Sequence, residues 1–141
     1  MDPKIEIATF NGRNSLSKGN LKRLCRMMRA WNAQKGVLMS GILIDTLAYR
    51  FMQQYEYAEK SYSFYDWMSR DFFQYLVDVS DQDYWLKPGS SQRVYNIYGF
   101  ENKAKEAHKI CLEALMHGDK DYYYLWHDDW RSIYGSKFPT A

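Results

Sequence analysis

The residues best placed to act on an anion are a row of cations, Lys18, Lys22, Arg26 and Arg29, in the stretch KGNLKRLCRMMRAWNAQK. From Lys18 to Lys35 this stretch holds six basic residues and no acidic one. At roughly 100° of turn per residue, the four cations fall within about 80° of one another on a helix. Leu21, Leu24, Cys25, Met27, Met28 and Trp31 take the other side. The pattern predicts an amphipathic helix, with an apolar face for a core and a cationic stripe along one edge. A solvated basic face is the simplest account of such a row. Exposed helices usually alternate charge signs, however, and like charges one turn apart cost about a few tenths of a kcal/mol. A one-sign stripe makes more sense with an anion against it.

Other groups carry weaker signals. Asp81-Gln82-Asp83 has the spacing by which strand-borne carboxylates share divalent ions in phosphoryl transfer, but turn formers surround it, and solvated carboxylates are the expectation. Gly89-Ser90 resembles a phosphate-loop dipeptide only in composition. Asp119, Asp121, Asp128 and Asp129 read as acids near the start of a last helix, where the helix dipole favours them. His108, His117 and His127 show no metal spacing with a second ligand. Cys25 and Cys111 sit among apolar neighbours, far apart, and read as buried free thiols in a reducing compartment. No G-x-x-x-x-G-K-[ST] or G-x-S-x-G occurs.

These groups need elements to hold them. A chain of 141 residues, 46% hydrophobic and 26% charged, has the balance of one soluble domain with a real core. A net charge of +2 is too small for bulk nucleic-acid binding, so any attraction to a polyanion must be local. Thirteen tyrosines and five tryptophans suit crowded helix interfaces as well as base stacking, and core packing accounts for most of them. No apolar run approaches the roughly 18 residues of a membrane helix, which places the protein by default in the cytoplasm.

The order of elements reads as helix after helix. Pro3 opens a short helix that stops near Asn11-Gly12. Ser17 caps the basic helix, and Gly36 ends it. Ser40-Gly41 starts the next, where Ile44, Leu47, Ala48 and Phe51 keep helical period and Asp45 lies near the positive end of the dipole. Glu56 to Ser61 separates it from a helix through Phe64, Trp67, Met68, Phe72, Leu76 and Val79. Ser80 to Gln92 is the one clear break. A fifth helix runs through Ala104 and Cys111 to Gly118, and a sixth from Asp119 to Tyr134. No alternating strand pattern is convincing. The expected fold is all-α, a compact lobe of five or six helices in a single domain, with residues 1–17 as a lead-in.

The segments NLKRLCRMMRAW, SGILIDTLAYRF, YDWMSRDFFQYL, PGSSQRV and WRSIYGSKFP, in this order, resemble one family. It is the bacterial cyclic GMP-AMP synthase-like nucleotidyltransferases (CD-NTase or SMODS enzymes), which make cyclic oligonucleotide second messengers. The oligoadenylate synthetases are more distantly similar. The resemblance covers nearly the whole chain but only the helical, C-terminal lobe of such enzymes. It implies that residues 18–141 grip a nucleoside triphosphate such as ATP or GTP, and that catalysis lies in an N-terminal sheet lobe absent from this chain. That lobe would hold Mg2+ or Mn2+ on its own carboxylates. Asp81 and Asp83 fall within the helical lobe's pattern and do not replace them, so the chain is expected to be a fragment or one piece of a split protein, inactive alone.

By the same resemblance, Arg26 and Arg29 match basic positions that reach the donor triphosphate, with Lys22 one turn earlier. Arg29 stands where relatives often have Lys, a change from a point charge to a bidentate donor. Ser40 and Gly41 match a helix start near the phosphates. Asp45 matches a structural acid. Arg70 and Asp71 are expected to pair with each other. Tyr49 and Tyr62 are no more than guesses for a base-stacking role. Two alternatives stay open: a non-catalytic helical module that binds a nucleotide or protein, and a nucleic-acid sensor, for which one stripe is a small electrostatic footprint.

Overall fold

The computed structural model describes residues 3–59 and 65–135. Among these, six helices and one two-stranded hairpin form the fold: α1 (Pro3–Leu16), α2 (Asn20–Lys35), α3 (Gly41–Gln54), α4 (Tyr65–Val79), β1 (Tyr84–Leu86), β2 (Arg93–Tyr95), α5 (Glu101–Asp119) and α6 (Tyr123–Tyr134). The fold is all-α apart from that hairpin. No helix of the described residues is long and apolar enough to cross a membrane.

The apolar side of α2 becomes the centre of the core. Leu21, Leu24, Cys25, Met28 and Trp31 are all buried, and the Trp31 ring meets the edge of Phe73 from α4 at 4.9 Å between centroids. Ile44, Leu47, Ala48 and Phe51 of α3 close over the same core. Phe51 continues it into α4 through Phe72, edge to face at 5.2 Å. Each such fully buried aromatic or aliphatic side chain contributes on the order of 1.5–3 kcal/mol through the hydrophobic effect. On the other flank α5 packs along both α4 and α6, where the small Ala104, Ala107 and Ala114 let the helices approach. The Tyr134 hydroxyl, fully buried, meets the Ser69 hydroxyl at 2.6 Å and so ties the end of α6 to α4.

Several boundaries differ from the sequence expectation. α1 does not stop at Asn11-Gly12 but continues to Leu16, because packing against α2 and α3 outweighs the weak helix propensity of that dipeptide. Gly19, at φ 85°, takes the cap position of α2, so Lys18 lies in the preceding turn and the helical stripe shortens to Lys22, Arg26 and Arg29. Ser17 still serves the helix: its buried hydroxyl accepts from the Leu21 amide at 3.1 Å, while Asn14 Oδ1 accepts from the Lys22 amide at 3.0 Å. Gly36 ends α2 in the left-handed region, as its position predicts. Asp119 closes α5 and does not open α6, which begins at Tyr123. Phe64 and Tyr62, named in the sequence reading, lie outside the described residues.

The turn-rich break between α4 and α5 folds as an antiparallel hairpin, pairing Tyr84 with Tyr95, Trp85 with Val94 and Leu86 with Arg93. Trp85 and Val94 point into the core and their neighbours outward. Three residues per strand are too few for that alternation to stand out in sequence. The hairpin turn rests on α1, where Lys87 Nζ meets Glu6 Oε2 at 3.0 Å. A Cβ on Gly89, whose φ is +70°, would lie only 2.5 Å from Thr9 Oγ1. The Gly89-Ser90 pair is therefore a packing contact on α1.

Candidate functional site

The cations of α2 meet the start of α3. Lys22, Arg26 and Arg29 follow one another at i, i+4 and i+7, so one edge of α2 carries all three, and all three are exposed. Lys22 and Arg26 have no acidic partner among the described residues. Arg29 differs. Its guanidinium Nη2 lies 2.8 Å from Asp45 Oδ1, and the same nitrogen would be 3.4 Å from a Cβ on Gly41. The third cation thus crosses to the first turn of α3 and rests there paired with a carboxylate.

That first turn has its own anion-seeking groups. Ser40 caps α3, its Oγ accepting from the Leu43 amide at 3.2 Å. The hydroxyl proton stays available, and helix geometry leaves the Gly41 and Ile42 amides without an intrahelical acceptor. Together with the helix dipole these donors favour negative charge at this point. The loop that presents Ser40 is held by Asn32, whose side-chain amide donates to the Met39 carbonyl at 3.0 Å and accepts from the Met39 amide at 2.9 Å. The sequence reading missed Asn32 because its partner is seven residues away, across a helix end.

Cys25 lies beneath the Arg29–Asp45 pair. Burial pushes its thiol up, the Asp45 carboxylate adds to the shift, and Arg29 opposes it. Cys111 is likewise raised by burial, and both cysteines are free and buried. They are core residues and not nucleophiles. Arg70 and Asp71 form the expected pair, Nε to Oδ1 at 2.9 Å, and Asp71 Oδ2 also accepts from the Tyr55 hydroxyl at 2.7 Å. Tyr49 is half-buried against the core, and its hydroxyl lies 3.3 Å from the Gln53 side-chain amide. Asp81 and Asp83 are exposed just ahead of β1, and among the described residues no three metal-ligating side chains gather.

No family model matches the chain, and neither a curated protein nor a solved structure is found similar to it. The site must be judged on its chemistry.

One feature next to Ser40 escaped the sequence reading. Ser40 and Leu43 line a shallow groove of about 50 Å3 with residues 95–100, where Tyr95, Ile97 and Tyr98 are exposed. Leu38, at φ 69° and 64% exposed, stands on the other rim. Exposed aromatic side chains beside an anion-seeking helix start make a surface with both apolar and polar grip. The signal was hidden because Tyr95 ends a hairpin the sequence did not reveal and Tyr98 lies in the segment between that hairpin and α5. Among the described residues, His117 Nδ1 and Asp129 Oδ2 also pair, at 2.6 Å, joining α5 to α6 well away in sequence from this face.

Proposed function

We propose that this chain is the nucleotide-gripping helical lobe of a cyclic oligonucleotide synthetase of the CD-NTase kind, acting in antiviral defence and inactive alone. The observation that carries this reading is the meeting of two anion-seeking features. Lys22 and Arg26 stand unpaired on the edge of α2, and that edge leads through Arg29 to the capped start of α3 at Ser40. Cations in a row offset the charge of a triphosphate, while helix amides and a hydroxyl give its end directional contacts. In such an enzyme Mg2+ or Mn2+ belongs to the catalytic lobe, and the role of this lobe is to hold the donor nucleotide and its departing pyrophosphate.

The exposed Leu38, Ile97 and Tyr98 favour a second reading, in which the same face binds a protein without chemistry. An amide NMR titration with ATP and with GTP, each with magnesium, separates the two. Saturable shifts along α2 and at residues 40–42, lost in an Arg26→Glu/Arg29→Glu variant that keeps its folded spectrum, support the nucleotide reading. Shifts that are absent at millimolar nucleotide, or that survive in the variant, overturn it for the isolated chain.

A further inference from the structure

The hairpin has two outer edges, and the fold treats them differently. The Lys87 amide donates to the Gln92 carbonyl at 2.9 Å and the Asn96 amide to the Asp83 carbonyl at 2.8 Å. Hydrogen-bonded pairs therefore fall on these alternate positions, and the pairs Tyr84–Tyr95 and Leu86–Arg93 turn their amides and carbonyls outward. The outer edge of β1 is covered. The Leu86 carbonyl accepts from Arg50 Nη2 of α3 at 3.4 Å, and the turn beyond it is held to α1 by Lys87 and Glu6. The outer edge of β2 is open. None of the described residues hydrogen-bonds the outward backbone groups of Arg93 and Tyr95.

Nothing in the sequence blunts that edge. Open strands are commonly guarded by lysine, proline or inward-pointing charge, and residues 91–100 contain no proline, lysine or acid. Their single charge, Arg93, lies over the Tyr84 ring, with Cζ 4.3 Å from the centroid. Tyr95 stands beside that ring, and Ile97 and Tyr98 follow at 75% and 71% exposure. No charged residue lines the groove between this segment and Leu38. A strand bearing several charges would find little to pair with here, whereas an uncharged, apolar strand fits. Among the described residues, the open strand of that kind is β2 itself.

We propose that β2 pairs antiparallel with β2 of a second copy of this chain, about a twofold axis at Tyr95, joining two hairpins into one four-stranded sheet. The axis sets Tyr95 opposite Tyr95, and Arg93 opposite Ile97 of the other copy, so the outward amides and carbonyls find partners. The two arginines then stand about 13 Å apart along the strands, beyond the Debye length of roughly 8 Å. So short a pairing falls below a standard interface, and the dissociation constant is expected on the order of 100 µM. The pairing uses neither Lys22 and Arg26 nor the first amides of α3. It goes beyond the nucleotide reading, and a failed nucleotide titration leaves it standing.

Sedimentation equilibrium of the whole chain up to about 1 mM, with amide spectra over the same range, tests it. A monomer–dimer equilibrium is expected, with concentration-dependent shifts centred on residues 91–99. Ile97→Lys changes an exposed side chain and should weaken the dimer at least about tenfold, because the lysine faces Arg93 of the other copy at two symmetric places. Ile97→Glu should associate as tightly as the parent chain or more so, because each glutamate faces the same arginine. A chain that stays monomeric at the highest concentration overturns the proposal. So does equal weakening by lysine and glutamate, which would mark unspecific apolar contact and not this register.

Discussion

Arg29 and Asp45 join α2 to α3 through one contact, Nη2 to Oδ1 at 2.8 Å, directly over the first turn of α3. The guanidinium is 46% exposed and the carboxylate 28%, so the pair is worth no more than about 1 kcal/mol to the fold. Its larger effect is on the field at Ser40. Asp45 offsets part of a cation that would otherwise add to the helix dipole there, and on the nucleotide reading proposed above a polyphosphate would compete with it.

Asp45→Asn therefore frees Arg29. The expected outcome is a melting temperature lowered by only a few degrees and tighter binding of ATP, by about three- to tenfold at low salt. Calorimetric titration at two salt concentrations checks it. Weaker binding in the variant would mean that Asp45 orients Arg29 for the ligand and does not restrain it.

Asn32→Ala removes both hydrogen bonds to Met39 and leaves that backbone pair to find water. A loss of about 1–3 kcal/mol is expected in urea unfolding, together with faster amide exchange at residues 39–42. An unchanged exchange pattern would show that Ser40 is positioned by apolar packing alone.

Gly89→Ala places a methyl group where Thr9 Oγ1 lies 2.5 Å away, at a backbone φ of +70°. Strain and overpacking together predict a loss of about 2–3 kcal/mol. Thr9→Ala in the same chain should recover only the part of the overpacking due to Oγ1, because Thr9 Cβ at 3.0 Å and the Ile5 carbonyl at 3.2 Å remain, and a double-mutant cycle isolates that part. Full additivity would mean that the added methyl does not press on the Thr9 hydroxyl.

Stability should fall in alkali. Cys25, Cys111, Tyr55 and Tyr134 are all raised in the folded chain, chiefly by burial, so each remains protonated there after its unfolded counterpart ionises. Groups with raised folded values contribute fully below the unfolded value and lose that contribution as pH rises above it. The loss begins near the ordinary thiol value of 9.0 and steepens beyond the phenol value of 10.0. Melting temperatures between pH 7 and 11 should slope downward, and a Cys25→Ala/Cys111→Ala variant should flatten the first part of that slope.

What sequence could show was whatever repeats locally. Leu21, Leu24, Met28 and Trp31 recur at helical spacing and all reach the core, and Gly36 and Ser40 mark ends by their own backbone and side-chain chemistry. What it could not show were partners chosen by the fold. Asp45 lies 16 positions from Arg29, Asp129 lies 12 from His117, and Gly89 rests on a helix that starts the chain. Lys22, Arg26, Arg29 and Ser40 were legible as residue types. Their separation into two unpaired cations and one balanced one was not, since no local pattern encodes which acid a long side chain meets.

Two asparagines at opposite ends of α2 hold the chain on either side of α3. Asn32 grips Met39 just before it, and Asn20 grips Ala58 just after it. Apolar packing alone tolerates a slip of one helical turn, about 5.4 Å, because similar residues come round again. Here such a slip would break three hydrogen bonds in a single step. The α2–α3 pair therefore behaves as a ruler with both ends clamped, and it fixes the spacing between the cation row of α2 and the capped start of α3.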